Sequence, residues 1–334
     1  MAEYPGTIDA FTAVGDREDL ADVIYLLKPT EVPLMSSSSR SDGTGFYHEW
    51  QRDVLAAADT TNLQLEGDDA PAGTTFVATQ RLGNYMGISR KVVDVSGTQE
   101  VVLKAGRSSE VNYQTAKRGL ELKRDVEALA SQNNIASSTG GKRTPAGIES
   151  WMDAANDVGT PGLSPANRGT GGVAPVWSSG HPTTAPVDGT ARTFDEDIFK
   201  NVLQQVYTQG GHTNLAIAPP KMKQRMSGFT AKETTLGTAV TKYEDLEDRR
   251  LVAAIDIYVS DFGTINIQPS RFLRVTPSQR VLVLDTEYIA FSWLRPFQTK
   301  PLADTGDAIR RLMICEWTFE AREPRSMAIC ADLQ

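Results

Sequence analysis

Between Val95 and Gln132 the chain reads VSGTQEVVLKAGRSSEVNYQTAKRGLELKRDVEALASQ, a polar stretch with helical spacing in a sequence otherwise rich in strand-like runs. As one helix it would extend roughly 50 Å at 1.5 Å per residue, wider than the core of a typical domain. Its start is well signed: Ser96 is placed to cap, Gln99 stands where a capping box needs it, and Gly97 precedes the first turn. Tyr113, Ala116, Leu120, Leu122, Val126 and Leu129 make only a narrow apolar stripe, and Glu121, Lys123, Arg124, Asp125 and Glu127 cover much of the rest. A helix with so thin a stripe does not sit in the middle of a compact enzyme. It is expected to lie along a sheet and to offer its other faces to solvent or to neighbouring copies. Gly106 and Gly119 fall inside it, and Gly119 is a candidate bending point.

The rest of the composition narrows the function classes. The 334 residues carry a formal charge of −8 without any Lys/Arg run, so there is no electrostatic footprint for reading nucleic acid. No stretch is long and apolar enough to cross a bilayer, and MAEYPGTIDAF lacks the basic and apolar regions of a signal peptide. Two cysteines, Cys315 and Cys330, fit a reducing compartment and read as small buried thiols, although a pairing across the last two strands is the other arrangement open to them.

Punctuation divides the chain. Residues 1–42 read as an irregular arm with one helical candidate, Arg17–Leu27, followed by Pro29, Pro33 and SSSSRSDGTG. Strand-like runs at Gly45–Arg52 and Thr75–Val95 flank a small, acidic segment, the pattern of a long two-stranded protrusion that must find a partner surface. From Ala155 to Arg192 the chain is Gly, Pro, Ser, Thr, Asn and Asp without periodicity, and a long surface loop is expected. A second capping box, Thr193 with Glu196, opens a helix whose buried face is Ile198, Phe199, Val202, Leu203 and Val206, stopped by Gly210–Gly211. NLAIAP and a short helix from Pro220 follow, then strands to the end: LVAAIDIYVS, GTINIQ, RVLVLD, YIAFSWL, RRLMICEWTFEA and SMAICA. The order gives an α+β fold class.

Reactive chemistry is scarce. His48, His181 and His212 lie far apart without ligand spacing. GGKRT at Gly140–Thr144 has Arg143 where a phosphate loop needs Ser or Thr, and reads as a helix-terminating loop. Glu66-Gly67-Asp68-Asp69 lacks the alternating spacing of a calcium loop and reads as a solvated tip. No cofactor, metal or catalytic set is expected.

The order of elements resembles the major capsid proteins of tailed bacteriophages, which share the HK97-type fold. The segments that carry the likeness are REDLADVIYLLKPTEVPLM, TGFYHEWQRDVL, VDVSGTQE with LELKRDVEALA, TPAGIESW, YVSDFGTINI and LRPFQTKPLADTGDAIRRLMICEWTFEAREPRSMAI. The resemblance implies an N-terminal arm over 1–42, an extended hairpin (E-loop) over 43–94 and a P-domain with a spine helix over 95–150. It further implies an A-domain over 151–286, including the 155–192 loop, and a return to the P-domain over 287–334. It implies a structural, non-enzymatic head protein that self-assembles into hexamers and pentamers. The icosahedral shell would enclose double-stranded DNA without sequence-specific binding, and would form the virion capsid after assembly in the host bacterial cytoplasm.

The partners implied are other copies and a portal, with room for a decoration protein. A separate scaffolding protein is also expected, because the charged N-terminal extension of a fused scaffold is missing. In this fold the hairpin lies over the neighbouring subunit, so Glu66, Asp68 and Asp69 would need basic partners, with Arg310 and Arg311 as candidates. Phe46 and Trp50 are further inter-subunit candidates, although packing at the hairpin base is the plainer role for both. Crosslinks through Lys and Asn occur in another lineage, and nothing in these residues places one here. The alternatives are an encapsulin-type compartment shell and a soluble hydrolase.

Overall fold

The computed structural model describes residues 22, 24–67, 69, 73, 78–159, 166–229, 244–245, 250–251, 256–303 and 306–334. In chain order the first elements are α1 (Pro33–Ser37), β1 (Ser39–Asp42), β2 (Tyr47–Arg52), β3 (Gln80–Tyr85), β4 (Gly87–Ser96), α2 (Gly97–Val101) and α3 (Glu110–Ala130). Next come α4 (Ala154–Asp157), β5 (Val176–Ser178), β6 (His181–Thr184), α5 (Glu196–Thr208), β7 (Leu215–Ala218) and α6 (Pro220–Met226). The rest is strand: β8 (Glu244–Asp245), β9 (Arg250–Leu251), β10 (Ile257–Ser260), β11 (Gly263–Pro269), β12 (Gln279–Leu284), β13 (Ile289–Pro301), β14 (Ala308–Ala321) and β15 (Ala328–Leu333). Helix and sheet are both present and segregated, the α+β class expected from the sequence.

Two sheets organise these elements. One has the order β1-β13-β14-β4 and the other β10-β11-β7-β12-β15. In β14 the period of two is plain: Cys315, Trp317, Phe319 and Ala321 enter the main core, while Glu316, Thr318 and Glu320 face the other way. α3 lies on the Cys315 side, where Lys91 pairs with its Asp125 at 2.7 Å and Val93, Val95 and Val111 cluster with Ile309. The five-stranded sheet is covered on both faces, which is why VLVL (Val281–Leu284) in β12 is an unbroken apolar run. Leu282 and Leu284 join the core shared with α3, whereas Val281 and Val283 pack with the stripe of α5 and with Met222 and Met226 of α6.

Several expectations are corrected. The long helix is two helices. Ser96 does accept from the Gln99 N–H at 3.3 Å, but α2 lasts only to Val101. Gly106, at φ +73°, lies in the connecting turn and not in a helix. Ser109 caps α3 afresh by accepting from the Asn112 N–H at 3.2 Å, so the spine runs about 32 Å. The arm is not wholly irregular. α1 docks Leu34 in the core, and β1 pairs parallel with β13 from Ser39↔Ala290 to Asp42↔Trp293. The Arg17–Leu27 candidate falls mostly outside the described residues, and its last four, 24–27, are not helical. The Thr75–Val95 run is two strands in different sheets, with 75–77 outside the described residues.

The C-terminal part of the chain differs as well. β13 and β14 join the sheet of β4, with β14 pairing β4 directly, but β15 does not follow them; it forms the edge of the five-stranded sheet beside β12. Cys315 and Cys330 are thereby separated into different sheets, both buried and unpaired. The Thr193–Glu196 capping box is not formed: α5 begins after Asp195, and the Glu196 carboxylate accepts from Tyr258 Oη at 2.9 Å and meets Lys200 Nζ at 3.0 Å. Burial and that carboxylate push the Tyr258 phenol well above its ordinary range.

Candidate inter-subunit surfaces

Because β2 and β3 pair only from Tyr47↔Tyr85 to Arg52↔Gln80, the protrusion they begin has a short ladder and needs other anchors. Its base supplies them. Trp50 Nε1 donates to the Ala321 carbonyl at 2.8 Å, and its ring stands 5.3 Å from Trp151, which in turn lies 5.7 Å from Trp177. The Gly83 N–H donates to the Gly180 carbonyl at 3.0 Å, and a side chain at Gly180 would run into the Arg81 carbonyl. Arg52 meets Glu323 at 3.1 Å. Beyond Arg52 the character changes. Among the described residues, 53–67 make only local hydrogen bonds, such as Asp59 accepting from Thr61, and Leu55, Leu63 and Leu65 are 95%, 88% and 80% exposed.

The residues singled out from the sequence fall on this frame unevenly. Trp50 is spent inside its own subunit, in the packing role. Phe46 is 63% exposed and remains open to a neighbour. Glu66 and Asp69 are exposed on the protrusion, and Asp68 lies outside the described residues. Arg310 and Arg311 sit on opposite faces of β14. Arg310 pairs with Asp94 of β4 at 2.8 Å on the outer face. Arg311 lies opposite Val93 on the α3 face and is half-buried. Gly119 is in α3, where an added Cβ would stand 3.1 Å from the Met313 methyl of β14.

Two polar arrangements have no signature in the sequence. The first fixes the described residues of the 155–192 segment, which are tied to the interior and do not form the surface loop that the composition suggests. Arg168, fully buried, meets Asp157 at 2.5 Å and Asp188 at 3.2 Å. Arg274 bridges Glu149 at 3.0 Å and Asp188 at 2.7 Å, and Arg280 bridges the same two at 3.1 and 3.3 Å. Asp332 completes the cluster, accepting from the Gly169 and Gly189 N–H groups and from Ser278 Oγ at 3.0, 2.8 and 3.0 Å. Burial pushes the Asp157 carboxyl up to about 6 against the pull of Arg168, whereas Asp188, also raised by burial, is held low by Arg274, Arg280 and Arg168. These groups come from five separate stretches, so no local spacing announces them.

The second arrangement ties the arm to the spine. Glu127, counted from the sequence among the solvent-facing charges, is buried, and its two carboxylate oxygens accept from the Leu34 and Met35 N–H groups at 2.7 and 2.8 Å. It caps the first turn of α1 from a distant helix. Burial pushes it up to about 7 in spite of both hydrogen bonds. On the far face of β14, Glu320 gathers His48, Ser41 and Arg322. Burial there raises the carboxyl, and these donors overcome it and bring it down to about 2.

Among the described residues no group of His, Cys, Asp and Glu is arranged to hold a metal ion, and no helix is long and apolar enough to cross a membrane. A groove of about 550 Å³ runs between β4 and the first half of α3, lined by Val92, Asp94, Gln99, Glu110, Gln114 and Arg118.

A family model described as SU10 major capsid protein matches residues 6–334. The major capsid protein of Escherichia phage Phieco32 is 28% identical over 260 residues, covering 69% of this chain and 71% of that protein. A solved chain of Microbacterium phage Oxtober96 superposes with a TM-score of 0.59 at 11% identity, over 97% of both chains. The holo-SrpI encapsulin complex of Synechococcus elongatus PCC 7942 superposes with a TM-score of 0.53 at 10% identity, over 93% of this chain and 92% of its own. The two structural likenesses speak for the fold alone.

Proposed function

The chain belongs to the SU10 major capsid protein family, and from that premise we propose how this phage head protein is used. The fold is the HK97-type capsid fold, and the protein forms the virion capsid. Our reading is that subunits associate as hexamers and pentamers into a closed icosahedral shell around double-stranded DNA, as a structural and not a catalytic component. Assembly would take place in the host cytoplasm with a separate scaffolding protein and a portal.

One observation carries this reading: the protrusion is welded at its base and bare beyond it. Leucines at 80–95% exposure on a segment held out by three tryptophans have no use in an isolated subunit. They have one in a shell, where a neighbour covers them. A net charge of −8 also suits a container, since a lumen of like charge does not trap phosphates. In this scheme the exposed Glu66 and Asp69 meet basic side chains of a neighbour, with the partly exposed Arg310 as the candidate. The encapsulin alternative rests on fold likeness, whereas the family match runs through almost the whole sequence.

Negative-stain electron microscopy of the purified chain, expressed with and without its scaffold candidate, tests the reading. Hollow shells, rings or tubes are expected. A monodisperse monomer under both conditions would overturn it, and particles from infected cells that hold protein cargo in place of DNA would return the compartment reading.

A further inference from the structure

The stretch from Arg168 to Gly189 holds a ribbon with two pinned ends. Val173 and Val187 exchange both backbone hydrogen bonds, at 3.0 and 2.9 Å, and β5 and β6 continue the pairing from Val176↔Thr184 to Ser178↔His181. Ser179 and Gly180, at φ +53° and +79°, close it with the left-handed pair that a tight hairpin turn requires. Its root is the buried arginine cluster: Asp188 meets Arg168, Arg274 and Arg280, and the Gly189 N–H donates to Asp332.

The tip grips the base of the protrusion from both faces. Tyr47 and Trp50 lie on opposite faces of β2. On the Trp50 face, Trp177 carries the Arg52 guanidinium 5.9 Å above its ring and donates from Nε1 to the Ser150 carbonyl at 2.9 Å. On the Tyr47 face, Tyr47 Oη and His181 Nδ1 share a hydrogen bond of 3.3 Å, and the His181 ring stands 6.2 Å from both Tyr47 and Tyr85. Between these two prongs the Gly180 carbonyl accepts from the Gly83 N–H of β3. Gly83 is needed for the fit, since an added Cβ would stand 2.6 Å from the Tyr47 ring.

A two-stranded ribbon alone is marginal in water, and Val173, Val176 and Val187 are each about half exposed, so this one depends on its ends. We propose that the 173–187 ribbon is a lever that sets the direction of the protrusion and couples it to the arginine cluster, so that loosening the root loosens the grip. Contiguous packed and hydrogen-bonded groups run the whole way from Asp188 to Gly83. Its use in assembly rests on the shell reading above, whereas the lever belongs to the single subunit and is tested there.

The Gly83 amide reports the grip. Its hydrogen exchange is measured in unassembled, full-length subunits of the wild type, Asp188→Asn and Val187→Pro. The first variant weakens the root, and the second removes a ribbon hydrogen bond beside it without touching a charge. Both are expected to speed Gly83 exchange about tenfold from the far end of the ribbon. Nitroxides at the exposed positions Asp53→Cys and Gln204→Cys, with Cys315 and Cys330 buried and silent, read the direction of the protrusion as a distance distribution. His181→Ala is expected to widen that distribution about twofold without moving the unfolding midpoint. Unchanged Gly83 exchange in a folded Val187→Pro would overturn the coupling, even where Asp188→Asn does not fold. A His181→Ala distribution as narrow as the wild type would overturn the grip. Subunits that respond as expected but never form particles would fail the shell reading and leave the lever standing.

Discussion

The segments 53–67 and 166–192 both read from the sequence as connecting stretches, and the structure treats them in opposite ways. The first is small and acidic, and the second is rich in Gly, Pro, Ser and Thr. The second is locked: Arg168 is buried, and Asp188, Gly169 and Gly189 are tied to Arg274, Arg280 and Asp332. Among the described residues the first makes only local hydrogen bonds. The difference lies in what the rest of the chain offers. Residues 53–79 contain Asp53, Asp59, Glu66, Asp68 and Asp69 and no Lys or Arg, and the described ones have no complementary charge to settle on within the subunit. A buried carboxylate is tolerated only when a cation or hydrogen bonds compensate it. The 166–192 segment brings Arg168 and finds Arg274 and Arg280; the protrusion must find its partner outside.

The comparison breaks most sharply under paired substitutions. Arg280→Ala leaves Glu149 and Asp188 short of a cation in the interior, and should cost about 3–5 kcal/mol of subunit stability by chemical denaturation. Deleting Ala56–Gly73 should leave that stability within about 1 kcal/mol while abolishing shells in electron micrographs, since the described residues of the segment make only local hydrogen bonds within their own subunit. If the deletion unfolds the subunit, or if Arg280→Ala is silent, the contrast between a spent and an unspent segment is lost.

Titration sharpens it next. Glu127 is raised in the folded chain from the ordinary 4.5 to about 7, so its contribution is complete below about pH 4.5 and is lost as pH rises through 7. A shift of that size corresponds to on the order of 3 kcal/mol between pH 4.5 and 8. Glu127→Gln should flatten this part of the stability profile, read from denaturation midpoints at pH 5 and pH 8. An unchanged slope would mean that the arm's clip on α3 is not what titrates. Glu320 has the opposite sign: its stabilisation is full above 4.5 and is lost as pH falls toward 2.

What was legible in the sequence follows the same division. Periodicity found the buried stripe of α5 and the strands from β10 to β15, because each burial pattern is written in consecutive residues. The Ser96 cap was legible too, yet the helix it opens ends after one turn. Lys104 takes the carbonyls at the end of α2, and the Glu100 carboxylate takes the N–H groups at the start of α3. Those contacts compete with helix continuation, and no spacing rule weighs them. Glu127 and the arginine cluster were illegible for a related reason: their partners lie 93 residues away for Glu127 and Leu34, and 131 for Arg280 and Glu149. On the outward-facing side, the sequence marks an acidic protrusion well, because the absence of local partners is itself written in the composition.

Smaller effects are expected in the core. Replacing Cys315 and Cys330 together with Ala should lower stability by only about 1–2 kcal/mol and leave assembly intact, and reductant should change nothing. Both thiols are pushed up to about 12 by burial and lie in separate sheets, so neither is a nucleophile poised for exchange. Particles that dissolve in reductant would contradict this.

The smallest expected change is at Gly119, and it bears on whether the spine is a passive support or a flexible one. Glycine inside α3 costs about 1 kcal/mol relative to alanine through backbone entropy alone. Close approach gives one reason to keep it, since an added Cβ would stand 3.1 Å from the Met313 methyl. That methyl ends a flexible side chain and can move by a few tenths of an ångström, so Gly119→Ala should still gain about 0.5 kcal/mol in denaturant. If the glycine serves only to admit Met313, the stabilised subunit should assemble as well as the wild type. If α3 bends there to fit different positions in a curved shell, the same variant should be more stable as a subunit and poorer at closing or expanding particles. A particle map in which every subunit has the same α3 geometry would rule out the hinge.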